Sequence, residues 1–156
     1  VAALRATTHP EATLDIVGRP GWGVDEAALA ARPGVTLHGY QPAETVRALI
    51  DAADALISTA HDEGLGLPLL EAQYAGLPVI APDRPVFREV LAGSGLIVDA
   101  ADPAAAAAAI GGALAGPGWR ARFADAAAAN LARWNATAAR DRSAVIAILE
   151  KKSAQL

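Results

Sequence analysis

Short runs of Val, Ile and Leu alternate along this chain with longer stretches in which apolar residues recur at helical spacing. The runs near residues 13–17, 35–38, 54–58, 78–81 and 95–98 are too short for helices and are bounded by Gly, Pro, Asp or Ser, so they read as strands. Helices are expected between them. Such alternation favours parallel strand–helix–strand units, and hence an α/β fold with a doubly wound parallel sheet whose ligands lie beyond the carboxyl ends of the strands. Pro42 and Pro103 are placed to begin helices, and Asp102 is a good N-cap for the second. From Pro103 onward no strand is evident. The Ala-rich remainder reads as helix interrupted at Gly116-Pro117-Gly118 and again near Trp134-Asn135, with residues 117–156 forming a helical tail.

One segment concentrates the candidate chemistry. After the run Asp54-Ala55-Leu56-Ile57-Ser58 comes His61-Asp62-Glu63-Gly64-Leu65-Gly66-Leu67-Pro68-Leu69-Leu70-Glu71-Ala72. Leu67 to Ala75 reads as a helix in which Pro68 supplies a preset φ and needs no amide partner. Gly64 and Gly66 sit where the chain must turn. Amides left unpaired at such a helix start, together with the positive end of its dipole, can receive a phosphate or diphosphate. Glu63 and Glu71 flank the turn, eight positions apart. An ionised carboxylate accepts hydrogen bonds from adjacent hydroxyls, which suits it to read a ribose or hexose.

Composition narrows the classes without naming one. The 156 residues suit a single domain. Of the 53% hydrophobic residues, alanine supplies about a quarter of the whole chain, so the apolar content speaks for helix more than for deep core. A net charge of −4 argues against a general nucleic-acid binder. With no cysteine there is no disulfide, thiol catalysis or thiolate metal site, and no His, Asp and Glu spacing matches a metal motif. Every apolar run is broken well short of the roughly 20 residues of a membrane span, so no transmembrane segment is expected.

The ordered set of motifs resembles the group 1 (family 4) retaining glycosyltransferases of the GT-B fold, through their signature of Glu, seven residues, Glu. Glu63 to Ala72 and Gly76-Leu-Pro-Val-Ile80 carry the likeness most closely, and further matches run along most of the chain: Leu14 to Gly18, Val35 to Gly39, Arg84 to Val90, Gly95 to Asp99, Asp102-Pro103 and Trp134. The resemblance implies a Rossmann-like, nucleotide-sugar-binding C-terminal half of a GT-B enzyme. Glu71 would bind the ribose, and Glu63, the catalytic candidate, would contact the donor sugar near the reacting carbon. Gly64, Leu65, Gly66 and Leu67 would offer amides to the diphosphate, and Gly39 and Tyr40 would line the base. The donor would be a UDP- or GDP-sugar, with no metal and no other cofactor. Leu65 stands where the family commonly has Phe.

The family's domain opens with a strand and a basic loop, whereas this chain starts at Val1-Ala-Ala-Leu-Arg5-Ala, resembling the end of the helix that follows, and has no initiator Met. The expectation is therefore a piece of a longer cytoplasmic protein. Its first strand and an N-terminal acceptor domain, holding the glycan or lipid acceptor and any peripheral attachment to the inner membrane, would lie elsewhere.

Plainer roles stand beside these. Glu63 and Glu71 could be surface or capping carboxylates, and Gly64 and Gly66 an ordinary turn. His61, His38 and His9 suit polar edge positions. Arg19, Arg84 and Arg88 are candidates to neutralise a diphosphate or to form surface pairs; Glu89 suits local pairing, and Trp22 packing on its loop. A nucleotide-binding module without transfer, acting in regulation or assembly, is the alternative reading. A dinucleotide oxidoreductase is less favoured, because Gly18-Arg-Pro-Gly-Trp-Gly23 has the wrong glycine spacing.

Overall fold

The computed structural model describes residues 1–19 and 25–153. The elements follow in the order α1 (Ala2–Thr7), β1 (Leu14–Val17), α2 (Glu26–Ala30), β2 (Val35–Gly39), α3 (Ala43–Ala52), β3 (Leu56–Ile57), α4 (Leu67–Tyr74), β4 (Val79–Pro82), α5 (Pro85–Leu91), β5 (Leu96–Val98), α6 (Pro103–Ala115) and α7 (Trp119–Ser153). Each of the five expected strands is present, and each pairing is parallel. The hydrogen-bonded ladder is not one sheet. Among the described residues β1 pairs with β2, and β3, β4 and β5 form a second sheet in that order.

β4 is the centre of the core. All four of its residues are buried, which is why its sequence, Val-Ile-Ala-Pro, is apolar throughout instead of alternating. Successive side chains point to opposite faces. Val79 and Ala81 pack with Leu69, Ala72, Phe87, Val90 and Leu91 from α4 and α5. Ile80 packs with Val98 and Trp119, backed by residues of α6 and by Phe123. Helices therefore cover both faces, as a doubly wound arrangement requires. Pro82 has no N–H to extend the ladder, and the next residue, Asp83, donates its amide to Val98 O at 2.9 Å.

Helix starts follow the sequence signals. The Asp102 carboxylate accepts from the amides of Ala104 and Ala105, both at 3.0 Å, and Pro103 opens α6. Pro42 is the cap residue of α3. The break at Gly116–Gly118 separates α6 from α7. The second expected break is absent: α7 runs for 35 residues straight through Trp134 and Asn135. Neither residue is a strong helix breaker, and tertiary bonds hold both in place. The Trp134 indole N–H donates to Val90 O at 3.0 Å, and Tyr74 O–H donates to Asn135 Oδ1 at 2.9 Å. Beyond Thr137 every described residue of α7 is exposed, including Val145, Ile146, Ile148 and Leu149.

Candidate functional site

The loop after β3 and the first turn of α4 carry the candidate residues. Gly66 is the N-cap of α4 with φ 67° and ψ 38°, the left-handed region in which a Cβ is strained, so glycine is required by conformation there. A Cβ at Gly66 would only touch Val90 and Leu69, at 3.5 Å. Gly64 does not adopt positive φ, so of the two expected turn glycines one is conformationally demanded.

The α4 start is sparser in free donors than a helix N-terminus ordinarily is. Pro68 has no N–H, while the amides of Leu69 and Leu70 both reach back to Gly66 O, at 3.0 and 3.4 Å. Among the described residues this leaves Leu67 as the first-turn amide without a protein acceptor, so an anion there would draw its other donors from the loop, where the amides of Gly64, Leu65 and Gly66 also lack protein partners. Leu65 and Leu67 are exposed.

Glu63 is half-buried and Glu71 exposed, and among the described residues neither carboxylate is bonded or ion-paired. The local bond at this point is made by Asp62, whose carboxylate accepts the Glu63 amide at 2.9 Å. Glu71 lies on the solvent-facing side of α4 with Leu67, Pro68 and Tyr74, opposite the buried Leu69, Leu70, Ala72 and Gln73.

Gly39 ends β2 and Tyr40 follows it. The Gly18 amide donates to Gly39 O at 2.9 Å across a register irregularity between Ile16 and Val17, and this junction brings Arg19 to Tyr40. The guanidinium carbon lies 5.8 Å from the ring centroid, and the ring is 75% exposed. Of the other candidate cations, Arg88 is spent on Asp83 in a two-pronged pair at 2.5 and 2.6 Å. That hydrogen bonding holds the Asp83 carboxyl below the usual aspartate range; desolvation opposes it, and the charges of Arg88 and Arg84 add to the lowering. Arg84 is the exposed N-cap of α5. His38 Nε2 contacts Asp15 Oδ1 at 2.7 Å across β1–β2, and His9 bonds Thr8, so both have local partners. His61 is exposed in the loop, and Trp22 lies outside the described residues. No group of three or more His, Asp or Glu side chains is arranged for a metal among the described residues.

Two features escaped the sequence reading. A mostly apolar crevice of about 130 Å³ lies between the α4–β4 turn and α7, lined by Gln73, Leu77, Phe123 and Leu131 among others; it does not include the loop at 63–67. Beside it, Gln73, Ser94 and Asn130 form a fully bonded buried polar cluster. For Gln73 and Asn130 the available signal was a polar residue on a buried helix face; Ser94, in the turn after α5, offered none.

Comparison with known proteins identifies the family. The family profile described as glycosyl transferases group 1 matches residues 1–130. A D-inositol 3-phosphate glycosyltransferase of Frankia alni is 36% identical over 145 residues, covering 85% of this chain and 36% of its own length. In fold, the chain is similar to WaaG, a glycosyltransferase involved in lipopolysaccharide biosynthesis (TM-score 0.66, 25% identity, 83% of this chain and 37% of that one). It is also similar to Anabaena HepE in complex with UDP and glucose (TM-score 0.70, 20% identity, 92% and 43%). The chain thus spans about a third of the length of the curated relative. A parallel α/β core, a GT-B-like fold and a profile match over most of the sequence lead to one assignment: this chain belongs to the glycosyl transferases group 1 family and is a GT-B-type domain of it.

Proposed function

We propose that this domain binds the donor of a retaining glycosyltransferase, a UDP- or GDP-linked sugar, and presents it to an acceptor hydroxyl held by another part of a longer protein. The observation that carries the reading is the loop itself: two carboxylates and a row of amides, all without protein partners among the described residues, on either side of the left-handed Gly66. The fold neighbour solved with UDP and glucose supports the ligand class. As the glycosidic bond to the diphosphate breaks, positive charge grows on the sugar and negative charge on the leaving group. The amides of Gly64, Leu65, Gly66 and Leu67 face the second. Glu63 holds the sugar, Glu71 holds the ribose, and Gly39 and Tyr40 border the base. The reading needs no metal, and it places the reaction in the cytoplasm.

Partnered cations favour a second reading, a nucleotide-binding module without transfer. Arg88 is committed to Asp83 and Arg19 leans on Tyr40, which leaves Arg84 as the one of the three candidates without such a contact among the described residues.

Calorimetric titration with UDP, GDP, ADP and NAD tests the site. At least one of the mononucleotides should bind, and Glu71→Ala should weaken it about tenfold or more, the loss expected for charge-assisted bonds to a ribose. Equal affinity in both forms contradicts the ribose role, and preferential binding of NAD contradicts the donor reading.

A further inference from the structure

The last turn of α5 would ordinarily end in unpaired carbonyls. Here Ser94, whose amide could have closed the turn on Val90 O, bonds Leu91 O instead, at 2.8 Å. The vacant acceptors are taken by side chains from α7, about forty residues further on. Asn130 Nδ2, Trp134 Nε1 and Arg133 Nη2 donate to Val90 O at 3.0, 3.0 and 3.2 Å, and Arg133 Nη2 also reaches Glu89 O at 2.9 Å.

The three donors brace one another. Asn130 Oδ1 accepts from Arg133 at 2.8 Å, and the guanidinium carbon of Arg133 lies 4.7 Å from the Trp134 ring centroid. Asn130 Nδ2 also donates to Gln73 Oε1 at 2.9 Å, which ties the cap to α4. A cation at the carboxyl end of α5 is electrostatically favourable as well.

Val90 is 2% exposed, and its side chain is the surface behind Gly66: a Cβ at Gly66 would meet Val90 Cγ1 at 3.5 Å and Cγ2 at 3.7 Å. Hence the residue held by α7 is one of the two, with Leu69 of α4 itself, against which the left-handed hinge of the donor loop rests. We propose that Asn130, Arg133 and Trp134 are positioning residues for the loop at 63–67, acting through Val90. None of them touches the donor. The inference rests on the donor-binding reading for its functional meaning, but the mechanical link can be tested without a ligand.

The experiment compares Trp134→Phe, which keeps an aromatic ring and deletes the N–H, and Arg133→Ala with Leu131→Ala, which loses packing on the same helix without a bond to Val90. Three quantities are read: melting temperature, amide ¹H–¹⁵N resonances of Gly64 to Leu67 in the free protein, and affinity for UDP and GDP. Trp134→Phe and Arg133→Ala should shift the loop resonances and weaken the bound nucleotide about threefold to tenfold, as the loss of one or two hydrogen bonds allows. Leu131→Ala should lower the melting temperature while leaving the loop resonances in place. Wild-type loop resonances in both cap variants, or equal displacement by Leu131→Ala, would overturn the proposal. Shifted resonances in a chain that binds no nucleotide in any form would uphold the mechanical link and instead refute the donor-binding reading.

Discussion

The two sheets of this domain are built from similar residues and are held very differently. β4 has a partner strand on each side and helices on both faces, and all four of its residues are buried. β1 and β2 have only each other among the described residues, and no residue of either strand, nor of α1, α2 or α3, is fully buried. Leu14, Ile16, Val35 and Leu37 are as apolar as the residues of β4, but apolarity becomes stability only in proportion to the area another surface covers. The loop at 63–67 leads into the well-packed half, while Gly39 and Tyr40, the other end of the proposed site, belong to the looser one.

Core truncation tests that contrast most strongly. Phe87→Ala, at a side chain with no exposure, should cost about 3–5 kcal/mol, whereas Leu37→Ala, half-buried in β2, should cost roughly 1 kcal/mol in the same denaturant titration. Similar losses at the two sites would erase the distinction between the halves.

The seam between the halves comes next. Gly111 of α6 lies so close to α1 that an added Cβ would come within 2.4 Å of Thr8 Oγ1. Gly111→Ala should destabilise by about 1–3 kcal/mol through overpacking, and adding Thr8→Ala should recover most of that in thermal melts.

The smallest effect concerns pH. The Asp83 carboxyl is held below the usual aspartate range in the folded protein, so its pairing with Arg88 stabilises above the unfolded carboxylate pKa. That contribution disappears as the pH falls through the depressed folded value. Arg88→Ala should therefore lower the melting temperature slightly at neutral pH, with the gap to wild type closing in strong acid. A gap that widens in acid would reverse the sign.

Much of this architecture could be read from local pattern. Strand runs, the Asp102 cap, the Pro68 helix start and the glycine turn are all encoded within a few residues of where they act. The division into two sheets could not be read, because pairing depends on residues far apart in sequence. Continuity of α7 was missed for a related reason: Trp134 and Asn135 look like a weak point locally, but each finds a bond partner on α5 or α4. The commitment of Arg88 to Asp83 was legible only as one option, since spacing cannot say whether an arginine faces a carboxylate or a ligand. Asn130 gave almost no signal; its meaning lies in Gln73 and Val90, at separations of 57 and 40 residues.

Because the ladder is divided, β1 and β2 each leave one margin of main-chain donors and acceptors unmatched within the described residues, and β3 and β5 do the same. Such margins are templates on which foreign strands can grow. Concentrated samples of this chain are therefore expected to associate through those margins while the centre around Val79–Pro82 is still intact, which light scattering across a dilution series checks.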